Sequence, residues 1–503
     1  MFCKLNSFSL NGIDALPINV EVDLQNGLPG FDIVGLPDSA VKEAKERVKS
    51  AIKNSGYHFP ICHITINLSP ADIKKEGSLY DLPIAIGILC CLGEISSDAL
   101  QDKLFIGELA LDGSLRGIRG LLPILLSAKN YYYHCILPYD NLSEAQLVPN
   151  LTFNLSHHLK EIVDVLKGDT NFLTTIPTSS ISPHKTTLDI DYSDVHGQEQ
   201  AKRGLMLAAA GYHNTLLIGS PGSGKTMLAK RLPTILPPLT QDECIEITKV
   251  YSVANQLSNY QMIATRPFRS PHHTISPYGL TGGGIHPKPG EISLAHLGVL
   301  FLDELLEFNT KALEILRQPL ETHEIALTKS HYSTTYPANF LFVASTNPCP
   351  CGYYPDSRCT CSMPQIKKYL SKLSGPLLDR IDLQLELHTP SCEDLKKPST
   401  LSSNEMAKNV IQARERQKRR FAGTNILYNS QIPANQTKKY CQITDEASKL
   451  LWQWFERTKV SMRAYDKVLR LALTIADLEQ SDIIELPHVA EAIRYRILDY
   501  PAL

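Results

Sequence analysis

A short glycine-rich segment constrains this chain more than any other feature. Residues 219–226 read Gly-Ser-Pro-Gly-Ser-Gly-Lys-Thr and match the pattern G-x-x-x-x-G-K-[ST]. Apolar residues precede the segment, as in a buried strand, and a helix-compatible stretch follows it. Strand, glycine-rich turn and helix together predict a phosphate loop, in which backbone N–H groups surround phosphates at a helix N-terminus. We therefore expect an α/β fold with a nucleoside-triphosphate site.

The motif predicts a role for each of its side chains. Lys225 is expected to reach the β and γ phosphates, and the Thr226 hydroxyl is expected to hold Mg²⁺. A plain glycine turn is the alternative, but the strand before the segment and the helix after it favour the phosphate loop. The predicted nucleotide-binding residues of the loop are Gly219, Ser220, Pro221, Gly222, Ser223, Gly224, Lys225 and Thr226.

Two further apolar runs supply candidates for the remaining chemistry. Residues 298–304 read as a strand buried on both faces and end in Asp303 and Glu304. Asp303 is expected to organise the Mg²⁺ shell, and Glu304 to polarise the water that attacks the γ phosphate. An acidic helix cap is the alternative for this segment taken alone. A third strand ends at Asn347, whose amide can orient the same water. With an arginine, Arg380, ahead of another strand-like segment, these features indicate an AAA+ ATPase.

The order and wording of these segments resemble one branch of that superfamily, the magnesium-chelatase-like ATPases of the ComM (also called YifB) type. The resemblance covers nearly the whole chain, and its one small departure is Leu306, where the family is expected to have proline. The matching segments are Gly-Gln-Glu-Gln-Ala-Lys-Arg at 197–203, Arg-Ser-Pro-His-His at 269–273, Pro-Gly-Glu-Ile-Ser-Leu-Ala-His at 289–296, Asn-Pro-Cys-Pro-Cys-Gly at 347–352 and Gly-Pro-Leu-Leu-Asp-Arg-Ile-Asp at 375–382.

The resemblance implies further roles. It implies a ring, expected to be a hexamer, in which Arg380 acts in trans on a neighbour's nucleotide. It also implies that Arg463 is a second sensor facing the γ phosphate of its own subunit; for either arginine, a surface or ion-pair role is the alternative. The implied activity is ATP-driven branch migration of DNA in recombination and natural transformation, on branched or single-stranded DNA. A metal-insertion motor of the magnesium-chelatase type and a Lon-like protein-remodelling or protease machine are the alternatives.

The domain organisation also follows the resemblance. A protease of the Lon type needs a serine–lysine pair, but Leu122 stands where that lysine would be and Ser78 is not placed as the nucleophile. The first domain is therefore expected to be an inactive relative that serves in assembly or in holding nucleic acid. The predicted units are a Lon-protease-like (ribosomal S5-like) α/β domain at 1–168, a linker at 169–187, a parallel α/β AAA+ domain at 188–390, a polar connecting segment at 391–436 and an α-helical lid at 437–503.

Composition limits the partners and the cellular location that we expect for this chain. The 503 residues carry a net charge of −2, so any contact with nucleic acid must use local patches rather than a global basic field. The longest apolar stretch is too short to span a bilayer, and the N-terminus has no long apolar signal core. We expect a cytoplasmic protein without membrane contact. Most of its twelve cysteines are scattered and are expected to be reduced.

Four cysteines form a compact group that we call the cysteine loop, residues 349–361. Cys349, Cys351, Cys359 and Cys361 have the spacing C-x-C-x₇-C-x-C directly after the strand that ends at Asn347. Such a group can bind one Zn²⁺ tetrahedrally and stiffen a loop with little core of its own. The pairs are closer in sequence than in most zinc motifs, so free thiols and a redox disulfide remain alternatives.

Two segments are candidates for contact with nucleic acid. The first, which we call the glycine-rich stretch, runs from Arg266 to Pro289. Its cationic and aromatic residues can supply counter-charge and stacking surfaces for nucleic acid, although a long surface loop is the alternative. The run Arg414 to Arg420 could face a polyanion, but a solvated helix face is the commoner outcome. The residues of the glycine-rich stretch are Arg266, Arg269, His272, His273, Tyr278, His286 and Lys288.

Overall fold

The computed structural model describes residues 1–131, 134–169, 189–257, 262–284, 287–329, 332–389 and 401–499. The predicted linker at 169–187 lies almost wholly outside these residues. So do His286, the start of the segment 391–436 and the last residues of the predicted lid. Within the described ranges the chain forms an N-terminal α/β domain, an ATPase-type α/β domain and a C-terminal helical region.

The N-terminal domain is built on a seven-stranded sheet. Its strands are β1 (Phe2–Asn11), β2 (Asp14–Gln25), β3 (Gly30–Val34), β4 (His63–Ser69), β5 (Lys103–Phe105), β8 (His134–Pro138) and β9 (Thr152–Ser156), with a small separate ladder of β6 (Glu108–Leu109) and β7 (Leu115–Arg116). The order in the sheet is β3-β4-β2-β1-β5-β8-β9. From Ile18 to Leu24 of β2 every second side chain is buried, as expected for a strand with one face on the core.

Five helices cover this sheet: α1 (Ser39–Asn54), α2 (Asp81–Cys91), α3 (Leu121–Ala128), α4 (Leu142–Ala145) and α5 (Leu159–Leu166). Asp38 caps helix α1 by accepting a 2.8 Å hydrogen bond from the Val41 N–H. Helix α2 is apolar on nearly all sides because it is buried almost throughout.

The positions that distinguish this domain from a peptidase lie in well-packed surroundings. Leu122, on α3, is 1% exposed, and its backbone N–H donates to Glu144 Oε2 at 3.1 Å. Ser78 donates its hydroxyl proton to Glu108. A buried leucine cannot accept a proton from a serine, so the absence of peptidase activity remains our prediction.

The ATPase-type domain has a five-stranded sheet in which every neighbouring pair is parallel. Its strands are β10 (Thr215–Gly219), β11 (Phe268–Arg269), β14 (Val299–Leu302), β17 (Leu341–Thr346) and β18 (Leu383–Leu387), in the order β11-β14-β17-β10-β18. The central strands are buried on both faces, which explains their continuous apolar runs. This places the carboxyl ends of β10, β14 and β17 side by side.

The remaining strands of this domain form two hairpins, β12 (Gly282–Gly283) with β13 (Lys288–Pro289) and β15 (Glu324–Lys329) with β16 (Tyr332–Pro337). The helices are α6 (Glu199–Gly211), α7 (Lys225–Arg231), α8 (Gln241–Ala254), α9 (Pro277–Thr281), α10 (Glu291–Leu294), α11 (Thr310–Ile315), α12 (Pro319–Thr322), α13 (Met363–Leu370) and α14 (Gly375–Leu378). Helix α8 joins the two domains, because Ser252 on it donates a 3.1 Å hydrogen bond to Glu144 of the N-terminal domain.

The C-terminal region is helical, as the sequence predicts. Its helices are α15 (Ser403–Arg420), α16 (Thr437–Tyr440), α17 (Asp445–Thr458), α18 (Met462–Leu478) and α19 (Leu486–Arg494). The structure differs from the expectation at 391–436, because much of the described part of that segment is α15. This helix buries Met406, Val410 and Ala413 in the ATPase core, so the segment is part of the packed domain and not a polar connection.

No helix in the described ranges combines the length and the apolar character that crossing a bilayer requires. The eleven cysteines within those ranges are all free thiols.

Candidate nucleotide-binding site

The phosphate loop has the backbone that its glycines predict. Gly222 and Gly224 have φ values of +79° and +91°, in the left-handed region that other residues rarely adopt. Helix α7 begins at Lys225, so the loop closes on a helix N-terminus. Lys225 Nζ donates to the carbonyl oxygens of Gly219 at 2.6 Å and Ser220 at 3.0 Å. Its ammonium group is thus held over the loop, where phosphates are expected to bind.

The carboxylate predicted to organise Mg²⁺ is held beside the hydroxyl predicted to ligate it. Thr226 Oγ1 donates a 2.7 Å hydrogen bond to Asp303 Oδ2, which brings the two predicted ligands together. The hydroxyl of Ser345, near the end of β17, donates to the other oxygen of Asp303. Such bonds orient a ligating carboxylate, and hydroxyl and carboxylate oxygens suit Mg²⁺. Ser345 is not among the residues predicted from the sequence, although its position two residues before Asn347 is a usable signal.

Glu304 follows Asp303 in a strained backbone conformation. Its φ is +52°, and its N–H donates to Ser345 Oγ at 3.2 Å. The side chain is 54% exposed, and its Oε2 lies 3.5 Å from Nδ1 of His273. Non-glycine residues with positive φ are uncommon and often occur at functional sites. The Glu304 carboxylate is therefore accessible to solvent just after the carboxyl end of β14.

The side-chain amide of Asn347 lies beside the Lys225 ammonium group. Its Oδ1 accepts a 3.2 Å hydrogen bond from Lys225 Nζ, so the amide and the ammonium flank the same space. Burial lowers the pKa of Lys225, while the nearby charges of Asp303 and Glu304 oppose that shift. The structure therefore brings Lys225, Thr226, Asp303, Glu304 and Asn347 together at one edge of the sheet, which is what phosphoryl transfer to water needs.

Arg380 lies at the amino ends of the strands, opposite to the carboxyl ends where the phosphate loop is. It precedes β18, whose register pairs Thr215 with Leu383 and Gly219 with Leu387. The phosphate loop leaves the carboxyl end of β10, while Arg380 lies before the amino end of β18, a separation of about 13 Å along five strand residues. Within its own subunit Arg380 is paired with Glu321 at 2.6 Å and donates to the Arg317 carbonyl at 3.1 Å.

Arg463 shares a cleft with Arg380. The cleft has a volume of about 660 Å³, and both arginines line it together with Asn214, Asp382 and Lys467. Asn214 and Asp382 precede β10 and β18, so this cleft lies at the amino edge of the sheet and away from the phosphate loop. In this structure Arg463 therefore lies away from the phosphate loop of its own subunit, and its role at a γ phosphate stays a prediction. Helix α18 packs so that its first turn is on the Arg380 side.

The four cysteines of the cysteine loop converge. Their sulfur atoms all lie within 4.8 Å of one another, with Cys349 3.4 Å from Cys351 and 3.8 Å from Cys359. Tetrahedral Zn–S bonds of about 2.3 Å put the sulfurs about 3.8 Å apart, so the residues fit this ion. Backbone N–H groups of Tyr353 and Thr360 lower the pKa of the Cys351 thiol to about 6.

The glycine-rich stretch is only partly available for a ligand. Arg266 donates to the carbonyl oxygens of Pro237 at 2.6 Å and Leu297 at 2.7 Å, and Arg269 pairs with Glu291 at 2.6 Å. These two arginines therefore hold the fold, contrary to the expectation for the whole stretch. Tyr278, at 71% exposure, and the exposed Lys288 still face solvent.

Most cationic side chains of the basic run on α15 also make contacts within the protein. Arg420 Nη1 donates to Asp477 at 2.8 Å, Arg416 pairs with Asp482, and Arg414 lies 3.7 Å from the centre of the Tyr428 ring. Lys418 and Arg419 are exposed. Three of these cations therefore make contacts within the protein, which neither a polyanion-binding face nor a solvated helix face describes.

Comparison with known proteins gives the same family along the whole chain. Residues 191–395 match the model described as magnesium chelatase, subunit ChlI, residues 20–141 match subunit ChlI of Mg-chelatase, and residues 400–496 match its C-terminal part. The uncharacterized protein YifB of Escherichia coli is 44% identical over 97% of this chain and 96% of its own length. The competence protein ComM of Haemophilus influenzae is 41% identical over the same shares.

The magnesium-chelatase 38 kDa subunit of Rhodobacter capsulatus is more distant, at 26% identity over 34% of this chain and 53% of its own length. The site geometry, the three family matches and the near full-length identity agree. This chain belongs to the magnesium-chelatase-like family of AAA+ ATPases that includes YifB and ComM.

Proposed function

We propose that this protein is a ring-forming, ATP-driven motor that acts on DNA and moves branch points during recombination. One observation supports the proposal of a ring. The groups that bind phosphate and activate water lie at the carboxyl edge of the sheet, and Arg380 and Arg463 lie together at the amino edge. Neither of these two arginines then lies at the γ phosphate of its own subunit, although such cations contribute strongly to phosphoryl transfer.

A ring supplies what the single subunit lacks. In a head-to-tail arrangement, the same two unlike faces meet at every boundary and the assembly closes on itself. The face with Arg380 and Arg463 would meet the neighbour's phosphate loop. We propose that both arginines act in trans, and that a hexamer is formed. Arg380 must then exchange its partner Glu321 for the neighbour's phosphate.

The DNA part of the proposal is supported by relationship and by surface chemistry. A full-length relative is named a competence protein. Tyr278 on α9 and Lys288 on β13 are exposed, as are Lys418 and Arg419 on α15, so aromatic and cationic groups are available to a ligand. Stacking and phosphate contacts of this kind suit single-stranded or branched DNA. Such work would take place in the cytoplasm, where free thiols are stable.

The proposed cofactors follow from the donor sets. Thr226 and Asp303 would hold Mg²⁺, which neutralises charge on the transferred phosphate. Glu304 would accept a proton from the attacking water while Asn347 orients it. We also propose that the four cysteines of the cysteine loop bind structural Zn²⁺.

The test compares stimulation of ATP hydrolysis by different ligands. Purified protein would be assayed with a four-way DNA junction, single-stranded DNA, an unfolded protein, or porphyrin with Mg²⁺. We expect the DNA ligands alone to stimulate hydrolysis, and DNA binding to weaken with salt. Lys225→Ala should abolish nucleotide binding, and Glu304→Gln should bind ATP without turnover. Stimulation by porphyrin or unfolded protein, with no effect of DNA, would favour the metal-insertion or remodelling alternative.

A further inference from the structure

We propose that Zn²⁺ in the cysteine loop fixes the position of the phosphate loop, so that nucleotide affinity depends on metal occupancy. The inference rests on the ATP site proposed above and adds a positioning element to it. It assigns a role in nucleotide binding to residues that contact neither phosphate nor Mg²⁺.

The cysteine loop touches the phosphate loop directly. Gly352 packs so closely on Pro221 that a Cβ atom at position 352 would lie 2.7 Å from Pro221 Cδ, and Gly352 has a φ of +86°. The cysteine loop also begins two residues after Asn347, which accepts the hydrogen bond from Lys225. Two parts of the nucleotide site are thus supported by one short segment.

That segment has almost no core to hold it in place. Of residues 349–361, only Cys349 and Gly352 are buried. The convergence of its four sulfur atoms is the main feature that could close the segment into a fixed shape, because the thiols lie too far apart to be disulfides. The Tyr354 N–H donates to Cys349 Sγ at 3.4 Å, an outer contact of the kind that orients metal ligands.

Metal loss therefore has a predictable consequence. Without Zn²⁺ the four thiols have no common partner, and the segment gains conformational freedom. The contact between Gly352 and Pro221 and the position of Asn347 are then kept only part of the time. Apparent affinity falls by the fraction of molecules in the competent arrangement.

The first variants test the dependence on metal. Zinc content would be measured by mass spectrometry, and affinity by titration with fluorescently labelled ADP. Cys359→Ser should lose zinc and weaken ADP binding about tenfold or more. Cys359→His keeps a zinc ligand and should restore both zinc and affinity. Cys62→Ser, a partly buried cysteine of the N-terminal domain, is the matched control and should behave as wild type.

A second variant separates the contact from the metal. Gly352→Ala leaves all four sulfur ligands in place but puts a methyl group against Pro221, so it should keep zinc and still weaken ADP binding. Gly423→Ala is the control, because Gly423 has a similar φ of +77° and nothing within 4 Å of the added methyl. KM for ATP should rise in Gly352→Ala more than kcat falls, whereas general destabilisation would lower the active fraction and leave KM unchanged.

The outcomes are distinct. Zinc-free wild-type protein, or Cys359→Ser without zinc but with wild-type ADP affinity, would overturn the inference. Gly352→Ala with unchanged ADP affinity would overturn the contact as its mechanism. Zinc-loaded wild-type protein that binds no ADP would instead contradict the proposed ATP site on which the inference rests.

Discussion

Nδ1 of His273 lies 3.5 Å from Oε2 of Glu304, which joins the glycine-rich stretch to the residue proposed to activate water. Strand β11 pairs with β14, so the segment that follows Arg269 leaves the sheet beside the end of β14. His273 is half-buried between the ring of His272 and Phe308. A ligand that moves this stretch would therefore change the surroundings of Glu304.

We expect His273→Ala to raise ATP hydrolysis in the absence of DNA, because the imidazole competes with water for the Glu304 carboxylate. A partly exposed ion pair is worth about 0.5–1 kcal/mol, so the basal rate should rise about two- to fivefold. The rate with saturating DNA should change little. His272→Ala is the control, because Nδ1 of His272 contacts Thr274 instead. Equal loss of both rates in His273→Ala would show that His273 supports catalysis.

A second prediction concerns the partner of Arg380. Glu321→Gln removes the carboxylate that pairs with Arg380 in its own subunit, so the guanidinium is freer to reach the neighbour's phosphate. Hydrolysis by the assembled protein should rise about two- to fivefold, and ADP affinity should not change. Glu314→Gln removes the nearby pair with Arg317 and is the control. A fall to the rate of Arg380→Ala would mean that Glu321 positions the arginine for catalysis.

The sequence predicts the elements that depend on local pattern. Strand β18 (Leu383–Leu387) occupies the strand-like segment expected after Arg380, and the C-terminal region is helical as expected. Local patterns of apolar residues are visible without knowledge of the neighbours. The phosphate loop and the Asp303–Glu304 pair can be predicted in the same way, because each follows a continuous apolar run.

Features that depend on packing between distant segments could not be read in this way. The position of Arg463 is set by how α18 lies across the amino edge of the sheet, beside Arg380, which no local sequence pattern shows. His273 reaches Glu304 only because β11 is the neighbour of β14. The three arginines of α15 look like a basic surface until their partners Asp477, Asp482 and Tyr428 are known.

A pH prediction follows from the contact between the two domains. Burial raises the pKa of Glu144 to about 7, although the Ser252 hydroxyl and the Leu122 N–H donate to it. A carboxyl group with a raised native pKa binds its proton more tightly when folded, so its contribution is fully present below the unfolded value of about 4.3 and is lost as pH rises through about 7. The loss is on the order of 3 kcal/mol.

Glu144→Gln should remove this pH-dependent part of the free energy of unfolding, because an amide can accept from the Leu122 N–H and donate to Ser252 without titrating. We expect the thermal unfolding midpoint of wild type to fall between pH 5 and pH 8 by more than that of the variant. Glu94→Gln, which removes an exposed partner of Lys167, is the control. Parallel pH profiles for wild type and Glu144→Gln would contradict the assignment.

The last prediction concerns the two arginines in the shared cleft. Arg380→Ala and Lys225→Ala subunits should each be inactive alone, because one lacks the arginine and the other the phosphate site. Random mixing in equal amounts leaves about a quarter of the boundaries with an intact Lys225 facing an intact Arg380, so about a quarter of wild-type hydrolysis should return. A non-exchanging mixture, checked by labelled subunits, must show no recovery.

Arg463→Ala mixed with Lys225→Ala separates the two possible positions of the second arginine. If Arg463 acts across the boundary, as its cleft with Arg380 indicates, this mixture should recover to the same level. If Arg463 served its own subunit, no subunit in the mixture would carry both an intact Lys225 and an intact Arg463, and hydrolysis would stay at the level of the single variants. Recovery with Arg380→Ala but not with Arg463→Ala would therefore contradict the trans role of Arg463 while leaving that of Arg380 intact.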